Sequence, residues 1–382
     1  MALLKIGRIE TFFVQPRWLF VRVETEGGAV GWGESSLEGH AEAVDGAFEA
    51  LRDRFIGHDA NRIEDIWQVA YRGGFYRGGP VLMSALAGLE QALWDLKGSA
   101  VGLPVWEMLG GRVRDKVRAY AWIGGDRPHE VAEAAKARAG QGFSAVKMNA
   151  TAELDWIGTP KLFDEVVARV QAAQAAGVDV GLDFHGRVHR PMAKQLAKVL
   201  EPLGLLFIEE PLLSENPEGL RQIAELVSTP IALGERLYSR WDFKPFFEAG
   251  AVDIIQPDLS HAGGILECRK IAAMAEVYDV AVAPHCPLGP LALASCLQLA
   301  ACTPNVAIQE MSLGIHYNVG GDLFSTCRDK AQLTPQDGYL PIPQAPGLGV
   351  DIDEDVVREM DKDRHRWRNP VWRQADGSFA EW

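Results

Sequence analysis

Apolar and polar residues alternate with period two over residues 20–25, the chain turns at Gly27-Gly28, and the alternation resumes over 29–32. Period two puts successive side chains on opposite faces of a strand, so this stretch predicts a β-hairpin. The period then lengthens to that of a helix over 40–55, 61–72 and 81–98, where Leu86, Leu89, Leu93 and Trp94 share one stripe. Between the last two helices lies Gly73-Gly74-Phe75-Tyr76-Arg77-Gly78-Gly79-Pro80, either a functional loop or a tight bend.

From about residue 117 the texture changes. Short runs rich in Val and Ile (117–121, 145–148, 178–184, 205–209, 230–235, 252–258, 280–285 and 306–310) alternate with amphipathic stretches. Strand–helix alternation at this spacing means parallel strands joined by helical crossovers. Eight such units fit a (β/α)8-type TIM barrel better than an open sheet. No G-x-G-x-x-G follows any run, which removes the main support for a dinucleotide fold. Beyond 315 the alternation stops. The tail carries Pro341, Pro343, Pro346, a short charged helix from Asp353 and three tryptophans, Trp367, Trp372 and Trp382. Such a segment cannot build its own core and is expected to pack back on the N-terminal region. The expected organisation is an α+β capping domain over 1–115, a barrel over 116–315 and a returning segment over 316–382.

Composition narrows the function. The 382 residues are 47% hydrophobic and 24% charged, as in folded soluble proteins. A formal net charge of −14, from 52 acidic and 38 basic residues, argues against nucleic acid or an anionic membrane surface as partner. An anionic small substrate remains open if something local, such as a metal ion, offsets the repulsion. The five cysteines, Cys268, Cys286, Cys296, Cys302 and Cys327, form no C-x-x-C pair and read as reduced thiols. The first residues carry no signal-peptide pattern, and the most apolar segment, 289–302, is shorter than a membrane span. A cytoplasmic protein is expected.

The residues that close the barrel runs carry the chemistry. The second run ends at Lys147; the third ends at Asp183, with His185 two residues on. The fourth to eighth end at Glu209, Glu235, Asp258, His285 and Glu310. From Asp183 onward the intervals are 26, 26, 23, 27 and 25 residues, one strand–helix unit each. In a barrel these strand ends converge on one mouth, where catalytic groups sit. Carboxylates about 4 Å apart repel by roughly 4 kcal/mol per pair at an effective dielectric of 20. Asp183, Glu209 and Glu235 on adjacent strands therefore point to a hard divalent cation with oxygen ligands, Mg2+ first, with Mn2+ able to substitute.

This ladder resembles the enolase superfamily, specifically its mandelate racemase-like branch. The resemblance runs the length of the chain and includes Trp32-Gly33-Glu34, Phe75-Tyr76-Arg77-Gly78-Gly79-Pro80, Leu182-Asp183-Phe184-His185-Gly186-Arg187, Gln256-Pro257-Asp258-Leu259-Ser260-His261, Ala283-Pro284-His285-Cys286-Pro287 and Gly347-Leu348-Gly349-Val350. It implies an enolase-like barrel with its last unit modified. It also implies that Asp183, Glu209 and Glu235 hold one Mg2+, and that His285 is the general base, oriented by Asp258. Glu310 would hydrogen-bond a substrate carboxylate provided it is protonated, Lys147 would offset developing charge, and His185 would protonate a leaving hydroxyl. The implied reaction is dehydration of an acid sugar, D-galactonate foremost, to a 2-keto-3-deoxy acid.

Where that branch carries a K-x-K pair, this chain has Lys147-Met148-Asn149, and a neutral Asn149 cannot act as a second base. The departure disfavours a racemase or epimerase. The alternatives, in order, are dehydration of another aldonate or aldarate, racemisation or epimerisation of a 2-hydroxy acid, and sugar-acid binding without turnover. Asn149, His261, His316 and Arg17 are expected to face substrate, with Trp18, Glu38 and Arg77 as further candidates in the capping loops. The tryptophans of the tail are expected to serve packing. A homo-oligomer is the expectation for this superfamily.

Overall fold

The computed structural model describes residues 4–123, 131–313 and 322–382. The N-terminal region is a three-stranded antiparallel sheet of β1 (Ile6–Val14), β2 (Trp18–Thr25) and β3 (Val30–Glu34). Three helices follow: α1 (Ala41–Phe55), α2 (Ile63–Arg72) and α3 (Pro80–Val101), then the short α4 (Val105–Met108). The hairpin and all three helices stand where the periodicities predict them. α3 is buried on more than the predicted stripe, because Glu90, Gln91 and Asp95 on its other face are buried too. It lies between the sheet and the barrel. Gly31 and Gly33 make the close approach of β3 possible, since a β-carbon on either would collide with the carbonyl of Ala92 or Gly88.

The barrel strands are β4 (Lys116–Trp122), β5 (Ala145–Asn149), β6 (Asp179–Asp183), β7 (Phe207–Glu209), β8 (Ile231–Leu233), β9 (Ile254–Ile255), β10 (Ala281–Val282) and β11 (Gln309–Ser312). They pair in parallel in the order β10-β9-β8-β7-β6-β5-β4-β11, and a parallel bridge from Val282 to Val306 closes the ring. Helices α5 (Val131–Gly140), α6 (Asp164–Gln174), α7 (Arg190–Leu200), α8 (Pro217–Ala224), α9 (Arg240–Ala249), α10 (Ile265–Val277) and α11 (Pro290–Cys302) form the crossovers. Inside the ring, Tyr120, Ala145, Phe207, Ala232, Ala283 and Ile308 pack as one cluster, so the barrel has a filled floor rather than a pore.

Several strands are shorter than the apolar runs suggest. β9 and β10 stop before Pro257 and Pro284, which have no N–H to donate to a ladder. Pairing resumes for one step at the Asp258–His285 bridge. The last run is displaced because residue 306 bonds β10 while residues 309–312 bond β4.

The tail returns to both the barrel and the N-terminal sheet. β12 (Tyr339–Pro341) pairs antiparallel with β4, and α12 (Glu354–Asp361) packs on β1. Asp353 caps α12 by accepting from the N–H groups of Asp355 and Val356. Asp361 accepts from the Phe13 N–H at 2.7 Å. The chain finishes in a small hairpin, β13 (Trp372–Arg373) with β14 (Phe379–Ala380).

Three buried carboxylates join cap, barrel and tail. Glu34 accepts from the N–H groups of Gly289 (2.8 Å) and Ala292 (2.9 Å) at the start of α11. Glu90 accepts from Ile265 (2.8 Å) and Leu266 (2.9 Å) at the start of α10. Asp95 accepts from Trp32 and from Leu348, both at 2.8 Å. The first two meet helix N-termini, where backbone donors and the helix dipole favour negative charge. Burial nevertheless pushes Glu34 and Glu90 up to about 7 and Asp95 to about 6, against the pull of those donors. All five cysteines are buried free thiols. Among the described residues, no helix is long and apolar enough to cross a membrane.

Candidate active site

The strand-end residues meet at the C-terminal mouth of the barrel. Asp183 and Glu209 close β6 and β7 and stand opposite each other in register, and Glu235 follows β8. Ligand oxygens of the three lie within 4.8 Å of one another. Burial, reinforced by the charge of Glu209, pushes Asp183 up to about 7, and burial likewise raises Glu209. An all-oxygen, three-carboxylate set without a thiol fits Mg2+ or Mn2+.

Lys147 on β5 faces this cluster, with its Nζ 2.9 Å from Glu209, 2.8 Å from Glu310 and 3.9 Å from Asp183. Burial works against its charge, but Glu209 and Glu310 outweigh burial and hold it well above the usual lysine range. Glu310 also accepts from the Cys286 N–H at 2.9 Å. Burial raises the Glu310 carboxyl, yet Lys147 and His285 together bring it below the ordinary value. That direction favours the carboxylate form, whereas the expected hydrogen bond to a substrate carboxylate needs the protonated one.

His285 and Asp258 sit on neighbouring strand ends, with Nδ1 2.8 Å from Asp258 Oδ2 and Nε2 3.1 Å from Glu235 Oε2. Burial disfavours the imidazolium, but Glu235, Glu310 and Asp258 raise His285 well above its ordinary value. His185 approaches from the other side, with Nε2 3.9 Å from Glu235 Oε1. Its Nδ1 lies 3.0 Å from the Trp382 carbonyl and 3.0 Å from Arg187 Nη2. Two imidazoles thus face the two oxygens of one carboxylate.

The remaining candidates divide. Arg17 and His261 line the same cavity, of about 340 Å3. Arg17 lies 3.8 Å from Glu38 and donates to the Pro287 carbonyl at 3.3 Å. His261 Nε2 is 2.9 Å from the Ser36 carbonyl, and its Nδ1 is 3.7 Å from Asp258. Burial lowers His261, but Asp258 and Glu38 lift it to about 9. Asn149 is buried at the end of β5 opposite Asp183. His316 lies outside the described residues.

Of the capping candidates, Glu38 reaches the cavity, whereas Trp18 stacks on Phe20 in the sheet core and Arg77 borders a separate hollow beside Tyr71. The aromatic stretch at 73–79 is a loop away from the barrel mouth, with Phe75 89% and Tyr76 87% exposed. In the tail, Trp382 packs with Trp367 against Trp122, as expected of packing residues, and also lines the cavity. Arg236, Tyr238 and Asn369 also line it and were missed. Arg236 follows a ladder residue directly and could have been flagged by that adjacency. Nothing in the unpatterned tail singles out Asn369.

Comparison with known proteins agrees with this geometry. Residues 130–356 match the enolase C-terminal domain-like family, and residues 10–110 match the mandelate racemase/muconate lactonizing enzyme N-terminal domain. The chain belongs to the mandelate racemase/muconate lactonizing enzyme family. Within that family it is 55% identical over 99% of its length to the whole of a D-galactonate dehydratase from Ralstonia pickettii (strain 12J). It is 52% identical, with the same coverage, to one from Klebsiella pneumoniae (strain 342). Among solved structures it resembles an enolase from Agrobacterium radiobacter with bound Na and L-malate. That match has a TM-score of 0.88 at 30% identity, over 99% of this chain and 100% of the other. The chain is an enzyme of the hydro-lyase class.

Proposed function

We propose that the chain dehydrates an acid sugar, D-galactonate, to 2-dehydro-3-deoxy-D-galactonate and water. The observation that carries this reading is the pair of imidazoles, His285 and His185, facing one carboxylate from two sides at 3.1 and 3.9 Å. The choice of D-galactonate is supported by relatives of that name at 52–55% identity.

Asp258 holds the Nδ1 proton of His285 and leaves the Nε2 lone pair toward the cavity, as a general base requires. His285 takes the C2 proton, and the bonding electrons move toward the substrate carboxyl group. Lys147, fixed between Glu209 and Glu310, offsets the charge that accumulates there. Those electrons then form the C2–C3 double bond as the C3–oxygen bond breaks. His185 gives its Nε2 proton to the departing hydroxyl, which leaves as water, and the enol tautomerises to the keto acid. Asp183, Glu209 and Glu235 would hold Mg2+, which when bound supplies positive charge that acidifies the α C–H and cancels the carboxylate charge favouring a protonated His285. Glu310, paired with Lys147 at 2.8 Å, anchors that lysine. Asn149 offers no base on the opposite face, which is why racemisation ranks below dehydration.

The five buried free thiols support a cytoplasmic setting, and the exposed Phe75 and Tyr76 support assembly into a homo-oligomer. The functional reading is tested by supplying acid sugars with Mg2+, with and without chelator, and detecting 2-keto acid. Chelator-sensitive turnover of D-galactonate is expected. Turnover confined to a C2, C3 or C4 epimer would replace the substrate, and silence across the panel would remove the reaction.

A further inference from the structure

Glu210 has no part in the reaction just described, although it is fully buried beside Asp183, Glu209 and Glu235. A further carboxylate buried in such company is costly unless it is paired. Its nearest cation is Arg236, whose Nε lies 3.1 Å from Glu210 Oε2, an ion-pair contact in which neither Glu210 oxygen accepts a hydrogen bond. The same guanidinium donates from Nη2 to the backbone carbonyl of His185 at 2.9 Å. Both His185 (φ 54°) and Glu210 (φ 40°) adopt left-handed backbone conformations, unfavourable for residues other than glycine. The two loops are tied together where the Gly186 N–H donates to the Glu210 carbonyl at 3.2 Å. Gly186 leaves room for this arrangement: a β-carbon there would stand 3.1 Å from Arg236 Nη1 and closer still to Leu213.

We infer that Arg236, anchored on Glu210, is a positioning residue that holds His185 in its left-handed conformation and keeps the acid aimed at the leaving hydroxyl. The inference rests on His185 being that acid. Arg236 is also 3.8 Å from Glu235, so support of the metal ligands is the competing role that the test must separate.

The test compares α-proton exchange in deuterated water with dehydration, in the Mg2+-loaded enzyme and its His185→Asn, Arg236→Met, Arg236→Lys and Glu210→Gln variants. Misplacing a reacting group by about 1 Å costs on the order of 100-fold, so Arg236→Met should lose about 100-fold in dehydration. Exchange at saturating substrate and the Mg2+ concentration for half-activation should stay near wild type. Arg236→Lys should recover part of the loss, and Glu210→Gln should move in the same direction by less. Parallel loss of exchange and dehydration, or a raised Mg2+ requirement, would overturn the inference. If Arg236→Met does not fold, the Lys and Gln variants carry the comparison. If His185→Asn itself fails to separate exchange from dehydration, the acid assignment has failed; if it separates them and the Arg236 variants do not, only the positioning role has failed.

Discussion

Two groups of carboxylates, all buried except the half-buried Glu235, are used in opposite ways in this protein. At the junction of cap and barrel, Glu34, Glu90 and Asp95 each accept backbone N–H groups from another part of the chain. At the mouth, Asp183, Glu209 and Glu235 face one another, with Lys147 as the shared cation for the first two. The junction acids are satisfied within the fold, so they serve assembly. The mouth acids crowd like charges together, an arrangement that stores an affinity for a cation at the expense of stability. Burial alone does not distinguish the groups; what each oxygen accepts from does.

The contrast can be broken in three places, taken in order of expected effect. The largest change should follow His285→Asn. A positioned general base contributes about 10²- to 10⁴-fold, so both α-proton exchange and dehydration should fall by that much. Retained exchange, read by deuterium incorporation in NMR, would remove His285 as the base.

Next come opposite shifts in stability, measured by urea unfolding of chelator-treated protein at pH 8. Asp183 is pushed up to about 7, so its ionised form penalises the folded state at that pH. Asp183→Asn mimics the protonated form and should stabilise by about 1–3 kcal/mol. Glu34→Ala, compared instead at pH 5 where the native Glu34 is protonated, strands the N–H groups of Gly289 and Ala292 and should destabilise by about 2–3 kcal/mol. Shifts of the same sign in the two variants would erase the distinction between the groups.

The smallest effect is in pH dependence. Glu34 and Glu90 have folded values near 7, above the ordinary carboxylate value of 4.5. Between those limits the folded state binds more protons than the unfolded state, so their contribution to stability is full below about pH 4.5 and is lost as pH rises through 7. Glu90→Gln, which resembles the protonated acid, should flatten this part of the wild-type profile by about 1–3 kcal/mol over the window. An unchanged slope in thermal unfolding would show that the backbone donors hold Glu90 ionised throughout.

The ladder from Asp183 to Glu310 was legible because a strand–helix unit recurs along the chain and each unit delivers its closing residue to the same rim. The cap helices were legible because their apolar periodicity matches the face that packs. The junction acids were not: Glu90 and Asp95 look like the polar side of an amphipathic helix until the barrel is seen to cover that side. Arg236 and Glu210 were passed over for the same reason, since each stands beside a ladder residue and its partner is remote in sequence.

Residue order by itself determined the elements, their eightfold repetition and the identity of the acids, histidines and lysine at the strand ends, because these depend on local period and spacing. Only the tertiary structure decided that Glu310 pairs with Lys147 and that Trp382 returns to line the cavity. Those properties depend on which charges and surfaces come within a few ångströms through space, and contacts such as His185 with Trp382 join residues far apart in the chain.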